Sequence, residues 1–209
     1  MNHVFKNILS SEEELRSLLG EPSKRAQDKL ITKIDTLCET MIKHSPFLVL
    51  STSNLNGTCD ASPRGDAPGF VHIIDEKHIL IPERPGNKRI DSLRNVMANP
   101  HVGLLFFIPG MQETLRINGK AFIIRDQEWL EKMAVNDRLP LVGIVVEVEE
   151  IFIHCAKAFI RSGLWDQATW PQREKLPTMA EVLKVHASLD TALEEIDESL
   201  IESYTQKLY

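Results

Sequence analysis

The chain has 209 residues, of which 43% are hydrophobic and 26% charged, and a formal net charge of −6. That balance suits a globular chain with one buried core and excludes collagen-like, low-complexity and disordered classes. The negative field repels nucleic-acid phosphates and anionic lipid, so no nucleic-acid or membrane partner is expected and any anion site must be a local cluster of Lys and Arg. No apolar run approaches the roughly 20 residues of a membrane helix. Met1 to Ser10 lacks a basic segment followed by an apolar core, which predicts an unexported, cytoplasmic protein. The cysteines Cys38, Cys59 and Cys155 are odd in number and form no CxxC pattern, which also suits a reducing compartment. His154 and Cys155, as strand neighbours, point to opposite faces and make a poor nucleophile pair.

In chain order, Ser11 with Glu14 resembles a capping box ahead of Leu15, Leu18 and Leu19, and Gly20 stops the helix. From Ala26, the spacing of Leu30, Ile34, Leu37, Met41 and Ile42 predicts a second helix that ends before Ser45 and Pro46. Phe47 to Thr52 and Thr58 to Ala61, joined by a turn at Asn54 to Gly57, read as a hairpin. Phe70 to Ile74 and His78 to Ile81 read as another. Ile90, Leu93 and Met97 recur at helical spacing between Gly86 and Asn99, and Val102 to Ile108 returns to strand. Leu115 to Ile124 and Leu141 to Ile153 read as long strands, with a helix from Asp126 to Val135 between them. The tail from Ala156 to Tyr209 is helical in pattern and broken at Pro171 and Pro177. Six antiparallel strands with helical inserts predict an α+β fold, mainly β, built as a closed or partly closed barrel. One domain is expected: N-terminal helices over 1–45, a barrel over 46–154 and a helical tail over 155–209.

The most informative stretch runs from Gly86 to Asn95, where Lys88 and Arg89 fall in the first turn of the expected helix. Cations at the positive end of a helix dipole are unfavourable unless an anion completes the site. Asn87 would cap the helix, Lys88 and Arg89 would neutralise a phosphate, and Ser92 would add a hydroxyl donor. A solvated basic turn balanced by Asp91 fits the same residues. A second cluster, Ser62, Pro63, Arg64 and Gly65, ends a strand with a guanidinium suited to phosphate or a ring carbonyl. Taken alone, the segment is better read as a bulge or turn that uses Gly65 for backbone freedom and an Arg64 to Asp66 contact for solubility. His72, His78, His101 and His186 have no metal-ligand spacing.

Taken in order, Phe47 to Ser53, Ala61 to Asp66, Pro82 to Asn95 and Glu113 to Ala121 resemble the pyridoxamine 5′-phosphate oxidase-related FMN-binding family, in its bacterial branch of unassigned function. The run from His154 to Trp165 resembles that branch too. The resemblance implies a six-stranded split-barrel homodimer with one FMN at each end of the subunit interface. Lys88, Arg89 and Ser92 match its phosphate segment. Ser62, Pro63, Arg64 and Gly65 fall where such proteins line the ribityl chain or isoalloxazine. Thr114 and Arg116 fall on the strand that reaches the flavin, where Arg116 would stabilise negative charge on it. Lys157, Arg161 and Trp165 would reach the flavin from the other subunit. Arg116 as an outward strand residue, Trp165 as a packed aromatic and Arg161 as a surface partner of Asp166 remain open.

The vitamin B6 enzyme of this family carries an Arg- and Trp-containing stretch near its C-terminus, whereas Glu194 to Tyr209 reads here as a polar helix. That argues against pyridoxamine phosphate as substrate. The expected function is an FMN-dependent oxidoreductase exchanging a hydride with a nicotinamide or small organic substrate, with no catalytic side chain or metal assigned. Two alternatives stand beside it: a flavin-binding sensor or carrier without turnover, and the same barrel holding haem or a deazaflavin.

Overall fold

The computed structural model describes residues 4–209. The chain divides into two units, Met1–Leu30 and Ile31–Tyr209. In the first, Ser11 accepts a hydrogen bond from the Glu14 N–H and starts α1 (Glu12–Leu19), and Ser23 caps α2 (Lys24–Asp28). The helix expected to run unbroken from Ala26 to Ile42 does not form. Ile31 instead bridges to Ile151, exchanging main-chain bonds of 3.1 and 2.7 Å. Asp35 then restarts the helix by accepting from the Cys38 N–H, giving α3 (Thr36–His44). A local capping signal and a long-range bridge together outweigh the continuous apolar spacing.

Within the second unit, the strands are β1 (Phe47–Ser53), β2 (Cys59–Gly65), β3 (His72–Ile73), β4 (His78–Pro82), β5 (His101–Phe107), β6 (Thr114–Ile124) and β7 (Gly143–His154). They form one antiparallel sheet in the order β2-β1-β5-β6-β7-β4-β3. This corrects the six-strand expectation to seven. The strand expected over Phe70 to Ile74 is reduced to β3, in which His72 and Ile73 pair with Leu80 and Ile79. The end strands β2 and β3 are not paired with each other, so the sheet is not hydrogen-bonded into a ring. Alternation in β1 and β5 sends Leu48, Leu50, Leu104 and Phe106 into a core shared with Ile79, Ile81, Ile117 and Ile144. At the β6 bulge, a Cβ on Gly119 would lie 2.1 Å from the Glu147 carbonyl oxygen, so only glycine lets β7 pass this closely.

The insert before β5 is α4 (Asp91–Ala98). Its buried residues are Ser92 and Val96, while Ile90 and Met97 of the expected stripe are exposed. The insert before β7 is α5 (Gln127–Lys132), shorter than expected because Val135 and Arg138 pair in a turn. After β7 come α6 (Lys157–Ser162), two 3-10 turns, α7 (Met179–His186) and α8 (Leu193–Gln206). Among the described residues, no helix is long and apolar enough to cross a membrane.

Candidate functional site

Edge strand β2 supplies one wall of a cleft of about 880 Å³, and the segment from Pro82 into α4 supplies the opposite wall. That volume is in the range of cofactor sites. Ser62, Pro63, Arg64, Gly65, Asn87, Lys88, Arg89 and Ser92 all line it. Two runs separated by more than 20 positions are brought face to face because β2 lies at the sheet edge while the loop after β4 leads back over it into α4.

Local geometry differs from the sequence reading at several points. Ser62 to Gly65 are the last four residues of β2, which runs past the expected Ala61 to Gly65, paired with Phe47. Half the main-chain groups of an edge strand have no ladder partner, and Pro63 is tolerated there because it has no N–H to lose. Arg64 pairs with Glu83 rather than with Asp66. Its Nε is buried without a hydrogen-bond partner. Asp66 pairs with Arg84, at 2.7 Å from Nε to Oδ2.

Asn87 does not cap α4. Its Oδ1 accepts from the Arg89 N–H at 3.0 Å in a local turn, and Lys88 and Arg89 precede the helix instead of forming its first turn. The N-cap is Ile90, in a left-handed conformation and with no side-chain cap bond. Lys88 is left-handed as well, with φ of 59°. Two non-glycine residues held in this region within three positions store backbone strain beside the cleft. Arg89 Nε pairs with Asp91 at 2.8 Å, which raises the pKa of the guanidinium. Lys88 has no ion pair or hydrogen bond with the described residues. Ser92 Oγ donates to Asp60 Oδ2 at 2.6 Å, so its proton is engaged within the protein.

Thr114, Arg116, Lys157, Arg161 and Trp165 do not line this cleft. Thr114 is buried at the start of β6, and Arg116 pairs with Glu150 while lying 4.9 Å from the Phe152 ring centroid. Lys157 and Arg161 are exposed on α6. Trp165 donates from Nε1 to the Met111 carbonyl at 2.8 Å and stacks on Phe159 at 5.7 Å. The ring of Phe159 continues to Phe107 and Phe47, so within one chain Trp165 belongs to a packed aromatic row.

Sequence reasoning missed Arg84, Asp60, Glu83, Arg138 and Tyr209, all of which line the cleft. Arg84 carried a usable signal, because Pro82 and Pro85 bracket Glu83 and Arg84 and restrict the backbone where β4 ends. Tyr209 carried none. Asp66 accepts from the Tyr209 hydroxyl, the Ala67 N–H and Arg84; burial pushes its pKa up, but these bonds together hold it below the usual carboxylate range. Counting Asp66, which Arg84 binds at 2.7 Å, the cations Arg64, Arg84, Lys88, Arg89 and Arg138 exceed the carboxylates Asp60, Asp66, Glu83 and Asp91 by one. A cleft with a surplus positive charge in a chain of net charge −6 is a local anion trap.

Residues 34–155 match the family model described as pyridoxamine 5′-phosphate oxidase. The chain belongs to that family. Among solved structures, HupZ of Group A Streptococcus is 19% identical, with a TM-score of 0.47, over 57% of this chain and 93% of its own. General Stress Protein 26 of Bacillus anthracis is 16% identical, with a TM-score of 0.43, over 55% of this chain and 88% of its own. An FAD binding protein of Mycobacterium smegmatis is 16% identical, with a TM-score of 0.42, over 59% of this chain and 97% of its own. No curated protein matches the chain in sequence.

The residues present fit a phosphate-bearing flavin. An unpartnered Lys88, an uncapped helix start and an orphaned Arg64 Nε are donors that lack acceptors.

Proposed function

We propose that the cleft binds FMN and that the protein is an FMN-dependent oxidoreductase, passing a hydride between the flavin and a nicotinamide or small organic substrate. The observation that carries this reading is Lys88, left without a partner beside the uncapped start of α4 in a cleft with a surplus positive charge. A phosphate monoester carries about −1.5 to −2 charges at pH 7, which the unpartnered Lys88 ammonium and the positive end of α4 would offset. Lys88, Arg89 and the first N–H groups of α4 hold the phosphate, while Arg64 and the free main-chain groups of β2 orient the rest of the molecule. The flavin supplies the redox chemistry when bound. A homodimer is part of the proposal: Lys157, Arg161 and Trp165 do not line the cleft of their own chain, and a second copy would present them to it.

Comparing FMN with riboflavin tests the phosphate anchor. Two charge-assisted contacts are worth about 3 kcal/mol, or about 100-fold in affinity. FMN is expected to bind by about that factor more tightly, and equal affinities would remove the phosphate reading.

Tyr209 inside the cleft favours a second reading, a flavin-binding module whose substrate space is closed by its own tail. Turnover with an added reductant separates the two.

A further inference from the structure

Tyr209 is held in the cleft at three points. Its hydroxyl donates to Asp66 Oδ1 at 2.7 Å, its main-chain oxygen accepts from Arg138 Nη1 at 2.6 Å, and the Arg84 guanidinium carbon lies 5.4 Å from its ring centroid. The socket is anchored independently of the ring. Arg84 donates from Nε to Asp66 Oδ2 at 2.7 Å and from Nη1 to the Met133 carbonyl at 2.9 Å. The Asp66 and Arg84 side chains are only 3% and 17% exposed. Asp66 follows β2 and Arg84 follows β4, so the sheet fixes both. Tyr209, by contrast, lies outside α8, which ends at Gln206.

We propose that Tyr209 is a removable plug in a subsite for a hydroxyaryl acid: a flat ring with a hydroxyl at one end and an anionic oxygen-bearing group at the other. Each socket residue supplies one element of that recognition. Asp66 accepts the phenolic proton, Arg84 covers the ring face, and Arg138 donates to the acidic oxygen. Treating the occupant as the substrate of the flavin rests on the function proposed above; the subsite does not. A ligand that must displace Tyr209 binds more weakly by the fraction of time the socket stands open.

The probe is 3-(4-hydroxyphenyl)propionate, titrated calorimetrically into the 209-residue protein as purified. Tyr209→Ala is expected to bind it at least about tenfold more tightly than the wild type, as for a socket open less than a tenth of the time. Tyr209→Phe, which keeps the ring and loses only the hydroxyl contact, gives an intermediate gain. Adding Asp66→Asn to Tyr209→Ala weakens binding about tenfold, the loss of one charge-assisted hydrogen bond. Binding to Tyr209→Ala no tighter than to the wild type, or unaffected by Asp66→Asn, would overturn the proposal. The heat measured is that of the aryl acid, so such a failure leaves the flavin reading standing, while failure of the FMN titration leaves the subsite standing.

Discussion

Ser92 Oγ donates to Asp60 Oδ2 at 2.6 Å, fastening the first turn of α4 to the edge strand β2. Ser92 is buried, and removing its hydroxyl leaves a half-buried carboxylate without this donor. Ser92→Ala should therefore cost about 1–3 kcal/mol in urea denaturation. Ser92→Ala combined with Asp60→Asn should cost less than the sum of the single changes, because the two share one bond.

Ile90 occupies the left-handed region with φ of 54°, although it is β-branched and 53% exposed. Asparagine tolerates that conformation better and gives up little burial here. Ile90→Asn should raise stability by about 0.5–1 kcal/mol in chemical denaturation.

The hydrogen bonds to Asp66 hold its pKa below the ordinary carboxylate range, so its ionised form is favoured by folding. Its contribution to stability is present above the unfolded carboxylate range and is lost as pH falls below it, through the folded pKa. Stability measured between about pH 5 and pH 2 should fall less steeply in Asp66→Asn than in the wild type.

A Cβ at position 119 would sit 2.1 Å from the Glu147 carbonyl oxygen, and backbone is what it meets. Gly119→Ala should force β6 and β7 apart and cost about 3 kcal/mol or more in thermal denaturation.

Where the sequence and the structure part, long-range pairing explains the difference. β1, β5, β6 and β7 were readable because β-rich runs such as Phe47 to Thr52 are bounded by turn and proline signals. The break between α2 and α3 was not readable, because it depends on Ile31 meeting Ile151, 120 positions away. At the cleft, the basic run at Lys88 and Arg89 and the Ser62 to Gly65 segment announced themselves by charge and order. Their pairings did not: Arg64 and Arg84 have adjacent acidic partners, and only the sheet register assigns Glu83 to one and Asp66 to the other. The approach of Tyr209 to Asp66 spans 143 positions and has no local signature.

The most direct test of the flavin site is the visible spectrum of the protein after FMN reconstitution and desalting, for the wild type and for Lys88→Ala with Arg89→Ala. The wild type should retain a flavin band, and the double variant should lose it through affinity weakened about 100-fold. A wild type that retains no flavin, or a double variant that retains it equally well, would contradict the assignment of this cleft to FMN.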